Sequence, residues 1–166
     1  MTRPPTAPNV AANVRYMGRR DLPEVLAIEQ ASAVAPWDED DVRTALRRPP
    51  TVAFVAEDQA GAISGFVVFE KNPRNVHVLL LAVRHDARRR GVGGKLLQKA
   101  LDRCNHERSR ATLHCHDQAD AAHRFLKAMG FQATRVVREF YERPPGDAYI
   151  FTRRFTNAKG GLPDGR

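Results

Sequence analysis

The most constraining feature of the sequence is an apolar run that leads through a glycine-rich turn into a helical pattern. Residues 76–83 are apolar on both faces except for His77, as expected of a central strand that is covered from each side. The turn that follows consists of Arg88, Arg89, Arg90, Gly91, Val92, Gly93 and Gly94. After it, apolar residues recur at helical spacing at Leu96, Leu97, Ala100, Leu101 and Cys104. This order predicts a buried strand, a tight turn and an amphipathic helix.

The turn is suited to binding an anion. Its glycines let the backbone approach a ligand closely, and successive N–H groups point outward at a helix start, where the helix dipole adds roughly half a positive charge. The arginines of the turn and Lys95 add full charges, so a diphosphate is the expected ligand. The dinucleotide fingerprint would need glycine at Leu96 and the P-loop would need serine or threonine there, which excludes both. The alternative is a tight turn with solvated arginines.

The remaining patterns predict a mixed sheet with helices interspersed, that is, an α/β or α+β sandwich. Strands are predicted at residues 14–17, 51–57, 62–71, 76–83, 111–116, 131–137 and 148–155. Four helices are predicted: one capped by Asp21 that stops before Pro36, one capped by Asp38 and closed by Pro49 and Pro50, one from Val92, and one over residues 119–129 that Gly130 ends. Residues 51–57 and 62–71 are expected to pair antiparallel.

Composition bounds the organisation and the partners. We expect one domain over residues 13–156, a disordered leader at 1–12 and a flexible tail at 157–166. No window is long and apolar enough for a membrane span, and two cysteines do not make a disulfide framework, so a cytoplasmic location is expected. The net charge of +8 predicts attraction to polyanions, with nucleic acid bound only through non-specific charge.

The sequence resembles the GNAT N-acetyltransferase superfamily. Arg88-x-x-Gly91-x-Gly93 after a buried strand is similar to the acyl-CoA signature of that superfamily, and residues 125–131 resemble its later helix-to-strand motif. The order of elements from Val14 to Phe155 is also the superfamily's order. The resemblance implies a GNAT-like, mostly antiparallel sheet flanked by about four helices, and acetyl-CoA as co-substrate. It implies that Leu81, Ala82 and Val83 contact the acetyl and pantetheine portion through their backbone, while residues 88–94 hold the diphosphate.

Two further segments resemble the N-terminal protein acetyltransferases, including the bacterial RimI type that modifies ribosomal-protein termini. Ile28-Glu29-Gln30 with Pro36-Trp37 is similar to their first helix and substrate loop, and residues 138–149 are similar to the hairpin that covers a peptide substrate. The resemblance therefore implies a protein or peptide N-terminus as acceptor, ribosomal proteins among them. The substrate contacts it implies are Pro36, Trp37, Phe140 and Tyr141. These aromatics alternatively serve as ordinary surface packing.

Acetyl transfer to an amine needs a group that removes a proton. His114 lies where RimI-like enzymes carry a glutamate base and where some eukaryotic relatives carry histidine, so the resemblance implies that it is the base. His77 falls where those eukaryotic relatives place a catalytic tyrosine, which implies a shared role in proton removal through water. The alternative is that both are hydrogen-bonded histidines inside a sheet. Leu126 replaces the tyrosine that usually protonates the leaving thiolate, and Ala119 replaces an asparagine that commonly contacts the cofactor, so the general acid stays unassigned.

Other functions remain open at this point. His114 and His116 share one strand face and would suit zinc, but His85, His106 and His123 lack the spacing to complete a site, so no metal is expected. The expected activity is acetyl transfer from acetyl-CoA to an N-terminal α-amine. The alternatives are acetylation of a small-molecule amine, or a non-catalytic protein that binds acyl-CoA or nucleic acid.

Overall fold

The computed structural model describes residues 12–104 and 109–155, which form one seven-stranded sheet with four α-helices. The expectations for a leader and a tail fall outside these residues apart from Ala12, and so does His106. Along the sheet the strands follow the order β1-β2-β3-β4-β5-β7-β6, and every neighbouring pair is antiparallel except β4 and β5. The strands are β1 Asn13–Tyr16, β2 Thr51–Glu57, β3 Ile63–Asn72, β4 Asn75–Val83, β5 Arg110–His116, β6 Gln132–Glu142 and β7 Pro145–Arg154.

The four helices lie where the sequence predicts them, but Asp21 does not cap the first one with its side chain, which instead accepts from the Arg15 guanidinium at 2.8 and 2.9 Å and from the Gly18 N–H at 2.7 Å. The helices are α1 Leu22–Ser32, α2 Glu39–Arg47, α3 Val92–Leu101 and α4 Asp120–Ala128. The Asp38 side chain caps α2 by accepting the Asp41 N–H at 2.8 Å. Gly130, with a φ of 85°, ends the helical segment of α4, and the next amide, that of Phe131, donates to Leu126 O at 2.9 Å. The mixed α/β fold class and the antiparallel pairing of β2 with β3 are confirmed.

Two boundaries differ from the expectation. Helix α3 ends at Leu101, so Cys104 lies beyond it. The closing strands are longer than residues 131–137 and 148–155, because the pairing of β6 with β7 resumes at Tyr141 after an irregularity and reaches Glu142 opposite Pro145. Asp147 makes this possible, since its carboxylate accepts the Glu139 N–H at 2.8 Å and the Arg138 guanidinium at 2.7 Å across the hairpin.

Each face of the sheet has its own apolar core. Helices α3 and α4 pack on one face, where the largest buried side chains include Leu96, Leu97, Leu126, Phe69 and Phe151. Helices α1 and α2 pack on the other, against Val55, Phe66, Val68 and Leu80. At Gly65, a Cβ would lie 2.9 Å from Ala82 O and 3.0 Å from Leu96 Cδ1. Glycine at this position therefore lets β3, β4 and α3 approach closely.

The parallel pair β4–β5 opens along its length. Pairing joins residues 75–78 of β4 to residues 110–113 of β5 and then stops. Strand β4 continues to Val83 with β3 as its partner, and β5 continues to His116 with β7 as its partner. The β3–β4 register has an irregularity between Val68 and Phe69, which leaves Leu79 of β4 without an opposite residue on β3. Leu79 lies at the point where β4 and β5 part. The end of β4 and the end of β5 therefore border an opening in the sheet.

Candidate active site

The opening leaves backbone groups of β4 without a strand partner. The Arg84 N–H donates to Ser64 O on β3 at 2.7 Å, and hydrogen-bonding groups alternate between the two edges of a strand. Because of this alternation, the backbone N–H and C=O of Ala82 point toward β3, and those of Leu81 and Val83 point toward the opening. Of the three predicted backbone contacts, Leu81 and Val83 border the opening, whereas Ala82 pairs with Phe66.

The glycine-rich turn lies between the end of β4 and the start of α3. Arg89 and Gly91 adopt left-handed φ values of 60° and 83°, and Gly91 is the N-cap of α3 without a side-chain cap. Within the described chain, the first amides of the helix thus have no side-chain acceptor, and the helix dipole adds partial positive charge beside them. Arg88, Arg89 and Arg90 are exposed around this helix end. The turn therefore has the geometry and charge of an anion site.

The glycines of the turn differ in what surrounds them. A Cβ at Gly93 would meet Val83 Cγ2 at 3.4 Å and the Phe125 ring at 3.5 Å, so this residue packs against β4 and α4. A Cβ at Gly94 would meet only Met129 Sδ, at 3.9 Å, so its outer side is open. Arg88 is tied back to β4, because its Nε donates to Val83 O at 3.2 Å. That carbonyl is therefore already accepting a hydrogen bond within the chain.

The two predicted catalytic histidines lie together on the face of the sheet that α1 and α2 cover. Their ring centroids are 5.0 Å apart, and His77 Nδ1 is 2.8 Å from Thr112 Oγ1. Burial lowers the pKa of His77 below its ordinary value of 6.5. Burial also lowers the pKa of His114, with smaller contributions from His77 and Arg135. Both rings are thus neutral near pH 7 and able to accept a proton.

A row of aromatic rings joins the histidines to the β6–β7 hairpin. The His114 ring is 5.0 Å from Phe140, Phe140 is 4.9 Å from Tyr141, and Tyr141 stacks on His116 at 4.6 Å. Phe140 is 45% exposed, so its ring presents an apolar surface beside His114. Burial raises the pKa of Tyr141 to about 12, which keeps its phenol protonated. The structure therefore brings together four predicted site residues.

Sequence reasoning missed the structural role of His116, which it considered only as a zinc ligand. Its buried ring holds the hairpin: Nε2 lies 3.2 Å from Pro144 O, and Nδ1 lies 3.1 Å from the Gln118 amide. Because a carbonyl only accepts, Nε2 carries the hydrogen and Nδ1 accepts from Gln118. A Cβ at Gly146 would lie 2.6 Å from Nε2, so glycine is needed where the hairpin crosses this ring. The Pro-Pro-Gly run at 144–146 was the available sequence signal for a tight crossing.

Pro36 and Trp37 lie in the loop between α1 and α2, outside the aromatic row. Trp37 is half-buried against the core beneath α1 and α2, and Pro36 is exposed. Buried Glu29 fixes this loop, because its Oε1 accepts the Trp37 N–H at 3.1 Å, while Gln30 donates to Trp37 O at 2.9 Å. Burial raises the pKa of Glu29. The Ile28-Glu29-Gln30 segment thus sets the position of Trp37.

The remaining sequence questions receive structural answers. Leu126 is 1% exposed in the core on the α3 and α4 face, so it has a packing role there. In the described part of the chain, no three histidine, cysteine or acidic side chains come together as a metal site. His114 and His116 share a face, but their rings pack on Phe140 and Tyr141 respectively. No helix among residues 12–104 and 109–155 is long and apolar enough to cross a membrane.

Comparisons with known proteins find similarity in sequence and in fold. Residues 22–131 match the model of the Acetyltransferase (GNAT) family. An uncharacterized N-acetyltransferase of Methanocaldococcus jannaschii is 26% identical over 155 residues, covering 90% of this chain and 96% of that protein. The crystal structure of Ard1 from Thermoplasma volcanium is similar, with a TM-score of 0.77, 27% identity, and coverage of 89% of this chain and 100% of that one.

A third comparison concerns the fold alone. The ribosomal-protein-S18-alanine N-acetyltransferase from Escherichia coli superposes with a TM-score of 0.76 at 20% identity, covering 91% of this chain and 98% of that chain. The overall fold of this chain is therefore similar to that of these solved structures.

The role of His116 is testable by removing its ring. We expect His116→Ala to lower the free energy of unfolding by about 1–3 kcal/mol, because the buried ring no longer fills its site and Pro144 O and the Gln118 N–H lose their hydrogen-bond partner. Urea unfolding measures this loss, and hydrogen exchange should show faster exchange of the amides between residues 141 and 147. Exposed His85→Ala is the matched control. Unchanged exchange in the hairpin of His116→Ala would contradict the assigned role.

Proposed function

We propose, because the chain belongs to the Acetyltransferase (GNAT) family, that it transfers the acetyl group of acetyl-CoA to the α-amine of a protein or peptide N-terminus. The observation that carries the proposal is the neutral histidine pair, His77 and His114, beside the opening between β4 and β5 and next to the aromatic hairpin. The exposed ring of Phe140 on this hairpin offers an apolar surface that the residues following the acceptor amine can contact. A ribosomal protein is among the candidate acceptors, since the similar Escherichia coli enzyme acts on ribosomal protein S18.

The residues of the turn fit the diphosphate of coenzyme A. The uncapped amides at the start of α3 are free to donate, Gly94 leaves open space beside them, and the arginines of the turn supply positive charge. Leu81 and Val83 would orient the pantetheine arm through backbone groups that face the opening. When bound, acetyl-CoA supplies an acetyl thioester at that opening.

Proton removal falls to the histidines. An α-amine has a pKa of about 7.7 to 8.0 and is already partly neutral near pH 7, whereas a lysine amine near 10.4 needs a stronger base. His114, whose neutral form is favoured by partial burial and by positive Arg135, accepts the proton that the amine loses. His77, held by Thr112, adjoins that ring and relays the proton through water. The modest basicity of this pair suits an α-amine.

No side chain is assigned as the acid that would protonate the leaving thiolate of coenzyme A. Leu126 is apolar and buried, so it donates no proton. A thiol with an ordinary pKa of about 8.5 leaves as a thiolate with moderate ease, so the reaction proceeds without a dedicated acid.

The experiment that tests this function offers labelled acetyl-CoA with a peptide library, a polyamine panel and small aminoglycoside-type amines. We expect acetylated peptide N-termini, located by mass shift and fragmentation. If polyamines or small amines are labelled and no peptide is, the proposal is wrong and the protein acetylates small molecules. Calorimetry that detects RNA binding but no heat with coenzyme A would replace the proposal by a nucleic-acid-binding role.

The anion site is tested by a pair of variants at Gly91. Asparagine and aspartate both tolerate a left-handed φ better than most residues, so Gly91→Asn and Gly91→Asp differ mainly in charge. We expect Gly91→Asp to bind coenzyme A about ten-fold or more weakly than Gly91→Asn, because the carboxylate repels the diphosphate. Isothermal titration calorimetry measures both. If Gly91→Asp and Gly91→Asn bind coenzyme A with equal affinity, the turn does not bind the diphosphate.

The base is tested by His114→Ala. We expect kcat to fall by about 100-fold or more, while affinity for coenzyme A is unchanged. In the wild type, kcat should decline only as the pH falls below 6.5, because the lowered pKa of His114 keeps the ring neutral down to that range. The decline should be absent in the variant.

Two acceptors with different amine pKa values provide the control for this pH profile. If the decline in kcat reflects protonation of His114, its midpoint pH is the same for both acceptors. If it reflects protonation of the acceptor, the midpoint pH shifts with the pKa of the acceptor amine. An unchanged kcat in His114→Ala would exclude the residue from proton transfer.

A further inference from the structure

We propose that the acceptor peptide carries a carboxylate side chain at its second or third residue, and that Arg135 binds it. The inference rests on the proposed function, because it concerns the same acceptor site. It assigns Arg135 as a specificity-determining residue.

The register of three strands places Arg135 in line with the base. His114 on β5 pairs with Ile150 on β7, and Ile150 pairs with Arg135 on β6. Residues directly opposite each other in an antiparallel pair point to the same face. His114, Ile150 and Arg135 therefore form one row on the face that carries His77 and Phe140, and half-buried Ile150 separates the base from the guanidinium.

Arg135 is close enough to act on this site. Two strand spacings put its Cα about 10 Å from that of His114, a distance much of which an extended arginine side chain can cover. Its positive charge already contributes to the lowered pKa of His114. An extended peptide advances about 3.4 Å per residue, so an amine at His114 brings the side chain of residue two or three within reach of the guanidinium.

The charge of Arg135 has no counterpart in the described chain. No carboxylate lies within 4 Å of it, whereas Arg138 on the same strand pairs with Asp147 at 2.7 Å. Glu70, which faces His77 across the β3–β4 pair, lies 3.5 Å from Arg48.

The other carboxylates near this face do not offset that charge. Buried Glu29 is held on the loop between α1 and α2, where its Oε1 accepts the Trp37 N–H at 3.1 Å. Glu139 and Glu142 are exposed farther along the hairpin toward its tip. Arg135 is thus an exposed positive charge with no ion-pair partner among the described residues, and such a charge attracts a negatively charged acceptor.

The test uses peptides that are identical except for one residue. Aspartate, asparagine or lysine is placed at position two, then at position three and, as a distant reference, at position eight. For the wild-type enzyme we expect kcat/KM to be about five-fold higher for aspartate than for asparagine at position two or three, the size of an exposed ion pair. At position eight the ratio should be near one, and at the near positions it should shrink as salt is added.

Variants then assign the preference to Arg135. We expect Arg135→Gln to bring the aspartate-to-asparagine ratio to about one and Arg135→Glu to favour lysine over asparagine. Arg47→Gln, which removes an exposed arginine on α2, is the matched control and keeps the wild-type ratio. Because each ratio compares two peptides on one enzyme, a variant that folds less well changes both rates and leaves the ratio intact.

The outcomes separate the inference from the proposed function. Peptides that are acetylated equally well with aspartate and asparagine overturn the inference alone, as does an acidic preference that survives in Arg135→Gln. A wild-type enzyme that acetylates small amines and no peptide overturns the proposed function, and the inference falls with it.

Discussion

The end of the hydrogen-bonded pairing between β4 and β5 is the constraint on which the site depends. Beyond Val78 and Leu113 the two strands no longer pair, yet each keeps its outer partner to the end: β4 with β3, and β5 with β7. The opening therefore costs only the few hydrogen bonds that would have joined the two strands. In exchange, backbone groups of Leu81 and Val83 face a space that a ligand can enter. Leu79, which has no opposite residue on β3, lies directly after Val78, the last residue of β4 that pairs with β5.

The opening has different electrostatics at its two ends. At the turn, Gly91 starts α3 without a side-chain cap and exposed arginines surround it, so that end favours an anion. At the histidines, burial favours neutral rings, so that end favours a group that must lose a proton. One split in the sheet thus lies between the proposed anion site and the proposed base, and a ligand with a phosphate end and a reactive end would contact both.

The fold was more predictable from the sequence than the site. Apolar periodicity, the Asp38 cap and the Gly130 stop are local signals, and they located the four helices and seven strands within a few residues. The glycine-rich turn was found for the same reason, since its chemistry lies in consecutive residues. The split of β4 from β5 was not visible, because residues 76–83 look apolar and continuous up to the point where pairing ends. The role of His116 was also hidden, since its partners Pro144 and Gln118 are fixed only by the packing of the hairpin.

The hairpin of β6 and β7 connects the fold with the candidate site. His116 contacts Pro144 O at its turn, Asp147 binds Glu139 and Arg138 across it, and the row of rings from His116 through Tyr141 and Phe140 ends on His114. A change in the hairpin therefore reaches His114 through packed rings. Arg135 lies on the same strand but outside that row, where its side chain is exposed and unpaired in the described structure. Under the proposed function, the same hairpin would therefore both pack against the proposed base and carry the charge that distinguishes acceptors.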